Sequence, residues 1–230
     1  MVIPVYNEEK HVEGAVKETV SGLESRRSSF ELIVVENGST DSSPQILDRL
    51  ARTIAGVKVI HLPKPSYGNA LKVGLLESKG DLIGHFSVDI VDFDFLDRAL
   101  IEIEHADVVL GSKLISGNSD ARPLMRRFGS ASFHNTARLI LGIEVRDTHG
   151  IKLMRRQRVQ SIINSCVVGD EVFDDEFILR ASRKGLSLKE IPFRTEEVRP
   201  SRQSVMGRAL RAMRQILRLK LQLWRESLGR

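Results

Sequence analysis

The sequence predicts an α/β protein with a Rossmann-like, doubly wound, mostly parallel sheet and helices on both of its faces. Over positions 1–110, short β-branched runs alternate with amphipathic segments of about ten to fifteen residues. Polar and acidic residues follow one predicted strand after another. The chain of 230 residues is also long enough to bury one core of this type.

The first half of the chain supplies the alternation. Strands are predicted for MVIPV, ELIVVE, VKVIHL, DLIGHFSVD and ADVVLGS. Helices are predicted for the apolar-periodic segments NEEKHVEGAVKETVSGL and FDFLDRALIEI. A short helix starts at Ser43 as its cap with Pro44 in its first position, and GNALKVGLLESKG is a helix that stops at Gly80.

The second half is less regular. The basic segment ARPLMRRFGSASFHNTARLILG leads into an amphipathic helix, VRDTHGIKLMRR is a strand or a loop, and DDEFILRASRKGLSLKEIPF is a helix, a glycine stop and a final strand. We expect a body of residues 1–205 and a basic amphipathic helix of residues 206–230. The apolar stripe of that helix consists of Met206, Leu210, Met213, Leu217, Leu221, Trp224 and Leu228.

The positive charge of the chain is concentrated at its end. From Arg199 onward nine Lys or Arg residues face one Glu, a net +8, so the rest carries −3 of the total +5. Such a tail favours partners that carry phosphate, either lipid headgroups or nucleic acid. Aromatic residues make up 5% of the chain, which leaves little for base stacking, so no nucleic acid partner is expected.

Two further features bear on the cellular compartment. The single cysteine, Cys166, excludes a disulfide within the chain and fits a reducing compartment. No apolar run approaches the roughly eighteen residues that a transmembrane helix needs, so no membrane span is predicted.

The predicted site lies outside the carboxyl ends of the strands, where doubly wound sheets bind their ligands. The polar residues at those ends come from segments far apart in sequence and are Tyr6, Asn7, Glu8, Glu36, Asn37, Asp41 and Asp89. Their convergence on one edge of a sheet predicts a ligand site with acidic character.

Several motifs, taken in order, resemble family 2 glycosyltransferases with the GT-A fold. The early ones are VIPVYNEE, VVENGSTDSS, YGNALKVGLLESKGDLI and the acids after the fourth strand. The later DTHGIKLMRR, DDEF and RPSRQS resemble the branch that makes polyprenyl- or dolichyl-phosphate sugars. The resemblance implies inverting transfer of glucose or mannose from a UDP- or GDP-sugar to a polyprenyl (dolichyl) phosphate. It also implies a peripheral protein at the cytoplasmic face of a membrane, which the C-terminal helix would contact. The alternative for this helix is that it packs on the body or on a partner.

The same resemblance implies a divalent cation, Mg²⁺ or Mn²⁺, held by an Asp-x-Asp pair at the end of the fourth strand. Asp89 matches the first position of the pair, but Val91 stands at the second. Asp92 and Asp94 form another Asp-x-Asp three residues later. We expect Asp89 to be the metal ligand and Asp92 a helper. The alternative is that these acids cap the helix FDFLDRALIEI, and for Asp94 this alternative is favoured.

The resemblance also assigns residues that bind the donor nucleotide: Pro4, Tyr6, Asn7, Glu8, Asn37 and Asp89. Tyr6 has an alternative role as a core aromatic. Asn37 and Glu36 stand where the family usually has two Asp residues that face the base. Because an amide can both donate and accept, the base contact survives the change but the preferred base can differ. Asn37 precedes a glycine, so plain turn formation is its alternative role.

On the acceptor side, Asp175 and Glu176 match an acidic helix start and are the expected catalytic acids besides Asp89. Their alternative role is stabilisation of the helix dipole. Asp147 and His149 lie in a motif that is one residue shorter here than in the family, and a satisfied loop histidine is favoured over a metal ligand. A lipid phosphate is already an anion, so it needs positioning and charge neutralisation more than a base. The residues expected to bind it are Lys113, Arg126, Arg127, Ser201 and Arg202.

Two other hypotheses stay open at this point. A family 2 transferase with a soluble or polysaccharide acceptor would use Asp175 or Glu176 as a general base. A degenerate, non-catalytic protein that binds a nucleotide sugar or nucleic acid is the second, because the Asp-x-Asp pair is broken and the pair of Asp residues before the glycine is replaced.

Overall fold

The computed structural model describes residues 1–26, 29–112, 115, 145–167, 172–193, 214–216, 218–223 and 225. Seven strands in this part of the chain form one sheet: β1 (Val2–Val5), β2 (Leu32–Asn37), β3 (Val57–Leu62), β4 (Leu82–His85), β5 (Val108–Ser112), β6 (Lys152–Arg155) and β7 (Leu188–Pro192). The helices with described bounds are α1 (Val12–Glu24), α2 (Ser43–Thr53), α3 (Tyr67–Glu77), α4 (Phe93–Glu102), α5 (Arg156–Ser165) and α6 (Phe173–Arg183).

The strand order in the sheet is β3-β2-β1-β4-β6-β5-β7. β6 is antiparallel to β4 and to β5, whereas the other neighbouring pairs are parallel. The predicted mostly parallel, doubly wound sheet is therefore confirmed, with one reversed strand. Because β6 runs backwards, its first residue, Lys152, lies at the same edge of the sheet as the last residues of the parallel strands. We call this edge the carboxyl edge.

Apolar side chains cover both faces of the sheet, because buried strands alternate their side chains between two helix layers. One layer contains α1, α2 and α4, which pack on Ile3, Val34 and Leu153 among others. The other contains α3, α5 and α6, which pack on Val2, Ile83 and Met154. These two layers are what the doubly wound prediction requires.

Two predicted helix boundaries are wrong. α2 has Ser42, not Ser43, as its N-cap, because the hydroxyl of Ser43 accepts a hydrogen bond from the backbone N–H of Glu8 (2.9 Å) instead. α3 ends at Glu77 rather than at Gly80, and Ser78 follows it in an extended conformation. The glycine stop after α6 is confirmed, since Gly185 adopts a φ of 72° that favours glycine.

The described residues between 214 and 225 are helical and pack on the body. Their buried side chains are Ile216, Leu219 and Leu223, which join the core beside α3, α5 and α6. Leu221, a member of the predicted stripe, is 48% exposed. The other members of the predicted stripe lie outside the described residues, so the stripe stays a prediction, and the described part of the helix shares its core with the body. Nowhere in the described part of the chain is there a helix of the length and apolarity that a bilayer crossing requires.

Candidate active site

The loops after β1 and β2, residues 6–11 and 38–42, hold each other at the carboxyl edge; we call them the loop pair. The backbone N–H of Asn7 donates to Ser39 Oγ (3.0 Å), and its side-chain Oδ1 accepts from the backbone N–H of Thr40 (2.7 Å). Asn7 adopts a φ of 55°, a left-handed conformation that Asn tolerates better than most residues. The amide oxygen of Asn7 is thus bonded to the protein's own backbone. The next two backbone N–H groups, of Glu8 and Glu9, donate to Ser43 Oγ and Asp41 Oδ2.

Tyr6 and Pro4 lie beside the loop pair. Tyr6 is 41% exposed at the end of β1, so its alternative role as a core aromatic is wrong. Pro4 is partly buried within β1. An exposed ring at the carboxyl edge offers a flat apolar surface with a polar tip, which suits contact with a nucleotide.

Glu36, at the end of β2, is buried, and both of its carboxylate oxygens contact other groups of the protein. Its Oε1 accepts from the backbone N–H of Ser39 (2.5 Å), and its Oε2 lies 3.2 Å from Nδ1 of His61. The other ring nitrogen of His61 lies 2.9 Å from Asp48 Oδ1. Burial alone would lower the pKa of His61, but its hydrogen bonds to Asp48 and Glu36 outweigh burial and the pKa is raised. Glu36 therefore anchors the loop after β2.

Asn37 is also buried, and its amide orientation is set by the backbone. Its Oδ1 accepts from the N–H of Ser66 (2.8 Å), the N-cap residue of α3. Because an N–H donor faces that oxygen, the amide nitrogen is the group that remains for a ligand. Asn37 thus links β2 to α3 and offers a donor where the family usually has a carboxylate.

Asp89 lies on a turn that follows β4. Ser87 and Ile90 close this turn through hydrogen bonds between their backbones (3.0 and 3.3 Å), and Asp89 between them is exposed. Asp92 is the N-cap of α4, with Oδ1 accepting from the N–H of Phe95 (2.8 Å). Asp94 occupies the first turn of α4, where its charge favours the helix dipole. The capping alternative is thereby confirmed for one oxygen of Asp92.

The described residues contain no group of three or more His, Cys, Asp or Glu side chains arranged to hold a metal ion. This fits the sequence, in which Val91 breaks the usual pair. Mg²⁺ commonly takes one or two protein carboxylates together with substrate phosphates. An exposed Asp89 at the carboxyl edge fits that mode of binding, in which the ligand completes the coordination.

Across the carboxyl edge lies a second group of side chains, from residues 145–150 and the start of α6; we call it the acidic side. Thr148 Oγ1 donates to Asp175 Oδ1 (2.6 Å) and lies 2.9 Å from Nδ1 of His149. The hydroxyl has one proton, so when it donates to Asp175 it must accept from His149. Nε2 of His149 lies 3.9 Å from Asp175 Oδ2. His149 is thus a loop histidine with protein partners, as expected.

Glu176 is fully buried one residue further along α6. Its Oε1 accepts from Arg180 Nε (2.7 Å), and its Oε2 accepts from the backbone N–H of Val167 (3.0 Å). Both oxygens therefore have protein partners, which favours a structural role over that of a base. Asp175 is the acid of the expected pair that contacts the loop of residues 145–150.

Beneath the acidic side, two opposite charges are paired in the interior. Lys152 Nζ donates to Asp174 Oδ1 (2.7 Å), and each side chain is 2% exposed. The same ammonium donates to the carbonyl of Gly150 (2.8 Å). His85, the last residue of β4, lies directly opposite Lys152 in the ladder between β4 and β6. The sequence analysis did not single out Lys152 or Asp174, although a charged residue inside IKLM and another after VF were signals of buried charge.

The residues expected to bind a lipid phosphate lie outside the described residues. They are Lys113, Arg126, Arg127, Ser201 and Arg202. Their expected role stays a prediction.

The fold is an α/β sheet with polar and acidic side chains gathered at its carboxyl edge, and comparison with known proteins gives the class. A family model described as glycosyl transferase family 2 matches residues 1–162. This chain belongs to glycosyl transferase family 2. The GT-A architecture agrees with glucosyl-3-phosphoglycerate synthase from Mycobacterium tuberculosis in complex with Mn²⁺ and UDP-glucose: TM-score 0.66 and 21% identity, over 95% of this chain and 77% of that one. That likeness shows the fold.

Among individual proteins, the chain is 28% identical over 222 residues to dolichyl-phosphate beta-glucosyltransferase ALG5A of Trichomonas vaginalis, over 90% of this chain and 68% of the relative. It is 29% identical over 199 residues to glycosyltransferase AglD of Haloferax volcanii, over 84% of this chain and 32% of the relative. The chain thus spans about a third of the length of AglD and about two thirds of the length of ALG5A.

Proposed function

We propose that this protein transfers a hexose, glucose or mannose, from a UDP- or GDP-sugar to a polyprenyl or dolichyl phosphate, with inversion at the anomeric carbon. The observation that carries the proposal is the meeting of the loop pair, Asp89 and the acidic side at one sheet edge of a family 2 chain. Relatives named as dolichyl-phosphate beta-glucosyltransferases support the acceptor. In this proposal the loop pair binds the donor, and the acidic side receives the acceptor.

The donor nucleotide binds at the loop pair. The exposed ring of Tyr6 and the amide nitrogen of Asn37 face the base and ribose, while Pro4, Asn7 and Glu8 shape the loop beneath them. Because Asn37 presents a donor rather than an acceptor, it pairs with a carbonyl oxygen of the base.

Asp89 would hold a divalent cation, Mg²⁺ or Mn²⁺, together with the diphosphate, and the chemistry that the cation would supply is stabilisation of the charge on the leaving group. Asp92 caps α4 through Oδ1 and is the second residue of the metal set proposed from the sequence. The turn closed by Ser87 and Ile90 fixes the backbone of Asp89 before any ligand arrives, so little order has to be gained on binding.

The acceptor phosphate enters from the acidic side and needs no base, because it is already ionised. Lys113, Arg126, Arg127, Ser201 and Arg202 neutralise and orient it in the proposal. Asp175 orients His149 through Thr148, and Glu176 secures the helix through Arg180. If the acceptor were instead an alcohol of a soluble sugar or polysaccharide, Asp175 would have to act as the general base.

In the proposal, the helix near the C-terminus contacts the cytoplasmic face of a membrane. With Ile216, Leu219 and Leu223 packed on the body, the opposite face carries the exposed residues Arg214, Arg218, Leu221 and Arg225. Arginines around an exposed leucine suit a surface of anionic lipid headgroups. Neutralising these arginines with Gln should abolish salt-sensitive pelleting with anionic vesicles, whereas Lys58→Gln on β3 should leave it unchanged.

The decisive experiment is calorimetric titration of UDP-glucose and of GDP-mannose with Mn²⁺, on the native protein and on Asp89→Ala. Metal-dependent binding that the substitution abolishes supports the proposed donor site, and the favoured nucleotide names the donor. Asp94→Ala is the matched control, since Asp94 lies in the first turn of α4. Binding that ignores both metal and Asp89 would refute the metal role.

The acceptor is tested next with dolichyl phosphate and radiolabelled donor. Sugar should appear in the organic phase, and Asp175→Asn should retain measurable transfer because no base is required. Failure of the native protein to transfer sugar from either donor with any divalent metal would overturn the proposal. Complete loss of transfer in Asp175→Asn, with donor binding intact, would favour the base mechanism and an alcohol acceptor.

A further inference from the structure

Three ionisable side chains of separate segments meet in the interior just below the carboxyl edge. They are His85 at the end of β4, Lys152 at the start of β6 and Asp174 at the start of α6, and all are buried. The Lys152 ammonium lies 2.7 Å from Asp174 Oδ1 and 2.8 Å from the carbonyl oxygen of Gly150. None of the three has a role in the proposed transfer.

This cluster joins the segments that carry the site residues. β4 leads into the turn of Asp89, and His85 is paired in register with Lys152. Gly150 closes the loop that carries Thr148 and His149. A Cβ at Gly150 would lie 1.7 Å from the carbonyl oxygen of Gly111 on β5, so this end of the loop has no room to shift.

The charges of the cluster are one cation and one anion. Burial, and then the charge of Lys152, lowers the pKa of His85 to about 3, so its imidazole is neutral at ordinary pH. Burial would raise the pKa of Asp174, but the charge of Lys152 and its hydrogen bond to the carboxylate act in the opposite direction and the pKa is lowered. The ammonium therefore faces an ionised carboxylate.

Stability alone does not account for this arrangement. Within the described residues, Asp174 Oδ2 and His85 Nδ1 are buried without a hydrogen-bond partner, which is costly in an interior. Well-packed apolar side chains in place of a buried ion pair are often neutral or stabilising. Apolar side chains cannot make directional hydrogen bonds. The Lys152 ammonium makes two, to the carbonyl oxygen of Gly150 in the loop and to the carboxylate of Asp174 in α6.

We propose that Lys152 is a positioning residue, which fixes the loop of residues 145–150 and the start of α6 to β6, the neighbour of the strand that leads to Asp89. Through Gly150 and Asp174 it sets the place of Thr148, His149 and Asp175 relative to the donor. The inference rests on the proposed function, since it concerns the acceptor side of that reaction.

The test compares one single and one double substitution. Lys152→Met leaves Asp174 as an unpaired buried charge and should lower the melting temperature. Lys152→Met/Asp174→Leu removes both charges and should restore the melting temperature. Its kcat should nevertheless stay about a hundredfold below that of the native protein, the loss expected from a misplaced reacting group. The KM for the donor should change little, because the hydrogen bonds that hold the loop pair run between its own two loops and to Glu36 at the end of β2.

A matched control comes from the other end of the same strand. Arg155 donates to the carbonyl oxygens of Ile103 and Ala106, away from the carboxyl edge. Arg155→Met should lower the melting temperature and leave kcat unchanged. If the double variant recovered both melting temperature and kcat, the role of Lys152 would be purely structural and the proposal would fail.

A measurement that does not depend on catalytic turnover, amide hydrogen exchange, separates this proposal from the proposed function. In the double variant, amide hydrogen exchange should become faster for residues 146–150 and 173–176 while the remaining sheet stays protected. Unchanged exchange there would overturn the positioning role, whatever the assay gives. A native protein that transfers no sugar would instead overturn the proposed function, and the exchange result would still decide the role of Lys152.

Discussion

The loop pair and the acidic side face each other across one edge of the sheet, yet different interactions hold them. In the loop pair, side-chain oxygens of Asn7, Ser39 and Ser43 accept hydrogen bonds from backbone N–H groups. On the acidic side, the ion pairs Lys152–Asp174 and Glu176–Arg180 lie in the interior. The loop pair is thus a set of many modest, replaceable bonds, whereas the acidic side depends on a few buried charges.

This difference predicts how strongly substitutions on each side should lower the stability of the protein. A neutral hydrogen bond contributes on the order of 1 kcal/mol, so the loop pair should degrade step by step as its members are removed. A buried charge that loses its partner costs several times more, so the acidic side should fail abruptly. Four substitutions test this contrast. They follow in order from the largest expected effect on stability to the smallest.

Lys152→Met should have the largest effect on stability. It leaves the Asp174 carboxylate buried and unpaired, and the free energy of unfolding should fall by about 3–5 kcal/mol. Urea denaturation of the native and variant proteins measures this change. The exposed pair of Lys58 with Glu77 is the control, and Lys58→Met should cost less than about 1 kcal/mol. Equal losses in the two variants would contradict the contrast.

Asn37→Ala should have an intermediate effect. It leaves the backbone N–H of Ser66 without its acceptor, which should cost about 1–3 kcal/mol. Asn37→Asp keeps an oxygen for Ser66 and should retain most of the stability while it removes the donor amide. Under the proposed function, nucleotide binding by calorimetry should weaken in both variants. Full binding by Asn37→Asp would show that the amide nitrogen does not contact the base.

Ser43→Ala should have a smaller effect, about 1 kcal/mol, because the N–H of Glu8 loses its acceptor. Ser42→Ala is the matched control one residue earlier, since Ser42 is the N-cap of α2 without a side-chain cap bond. Thermal unfolding of both variants measures the difference. If Ser42→Ala were the more damaging, capping rather than the link between the loops would be the role of this segment.

Substitution of His61 should have the smallest effect on stability, and this effect should vary with pH. The folded-state pKa of His61 is raised, so the stabilisation by Glu36 and Asp48 is full below the unfolded value of about 6.5 and is lost as pH rises through the folded value. His61→Gln should therefore lower the melting temperature near about pH 6 and have little effect near about pH 9. The His61 side chain is 43% exposed, so solvent screening keeps the effect small. A difference that grows with pH would refute the assignment.

Local sequence patterns were sufficient for the fold and for the exposed part of the site. Alternating β-branched runs and helical periodicity predicted the strands up to β5 and the helices between them, and the polar residues at the strand ends predicted the carboxyl edge. Asp89 was singled out because the family resemblance expects an Asp at the end of the fourth strand, and its role as a metal ligand stays a prediction. The reversed strand β6 stayed ambiguous, because Lys152–Arg155 is short and begins and ends with a charged residue.

The contacts between distant segments could not be predicted in the same way. Nothing near Ser43 shows that its hydroxyl serves Glu8, 35 residues earlier, rather than the helix it begins. The pairing of Lys152 with Asp174, and of Glu36 with His61, likewise depends on the order of strands in the sheet. Pairing partners are set by topology, which the periodicity of a segment does not contain.

The helix near the C-terminus has a consequence for how the protein can be dissected. Ile216, Leu219 and Leu223 belong to the same core as α3, α5 and α6, while Arg214, Arg218 and Arg225 are exposed on the other side. Deleting this segment would uncover apolar side chains of the body and expose it to aggregation. A truncated protein would therefore not test the proposed membrane contact by itself, and substitutions of the exposed arginines are the way to test that contact with the core intact.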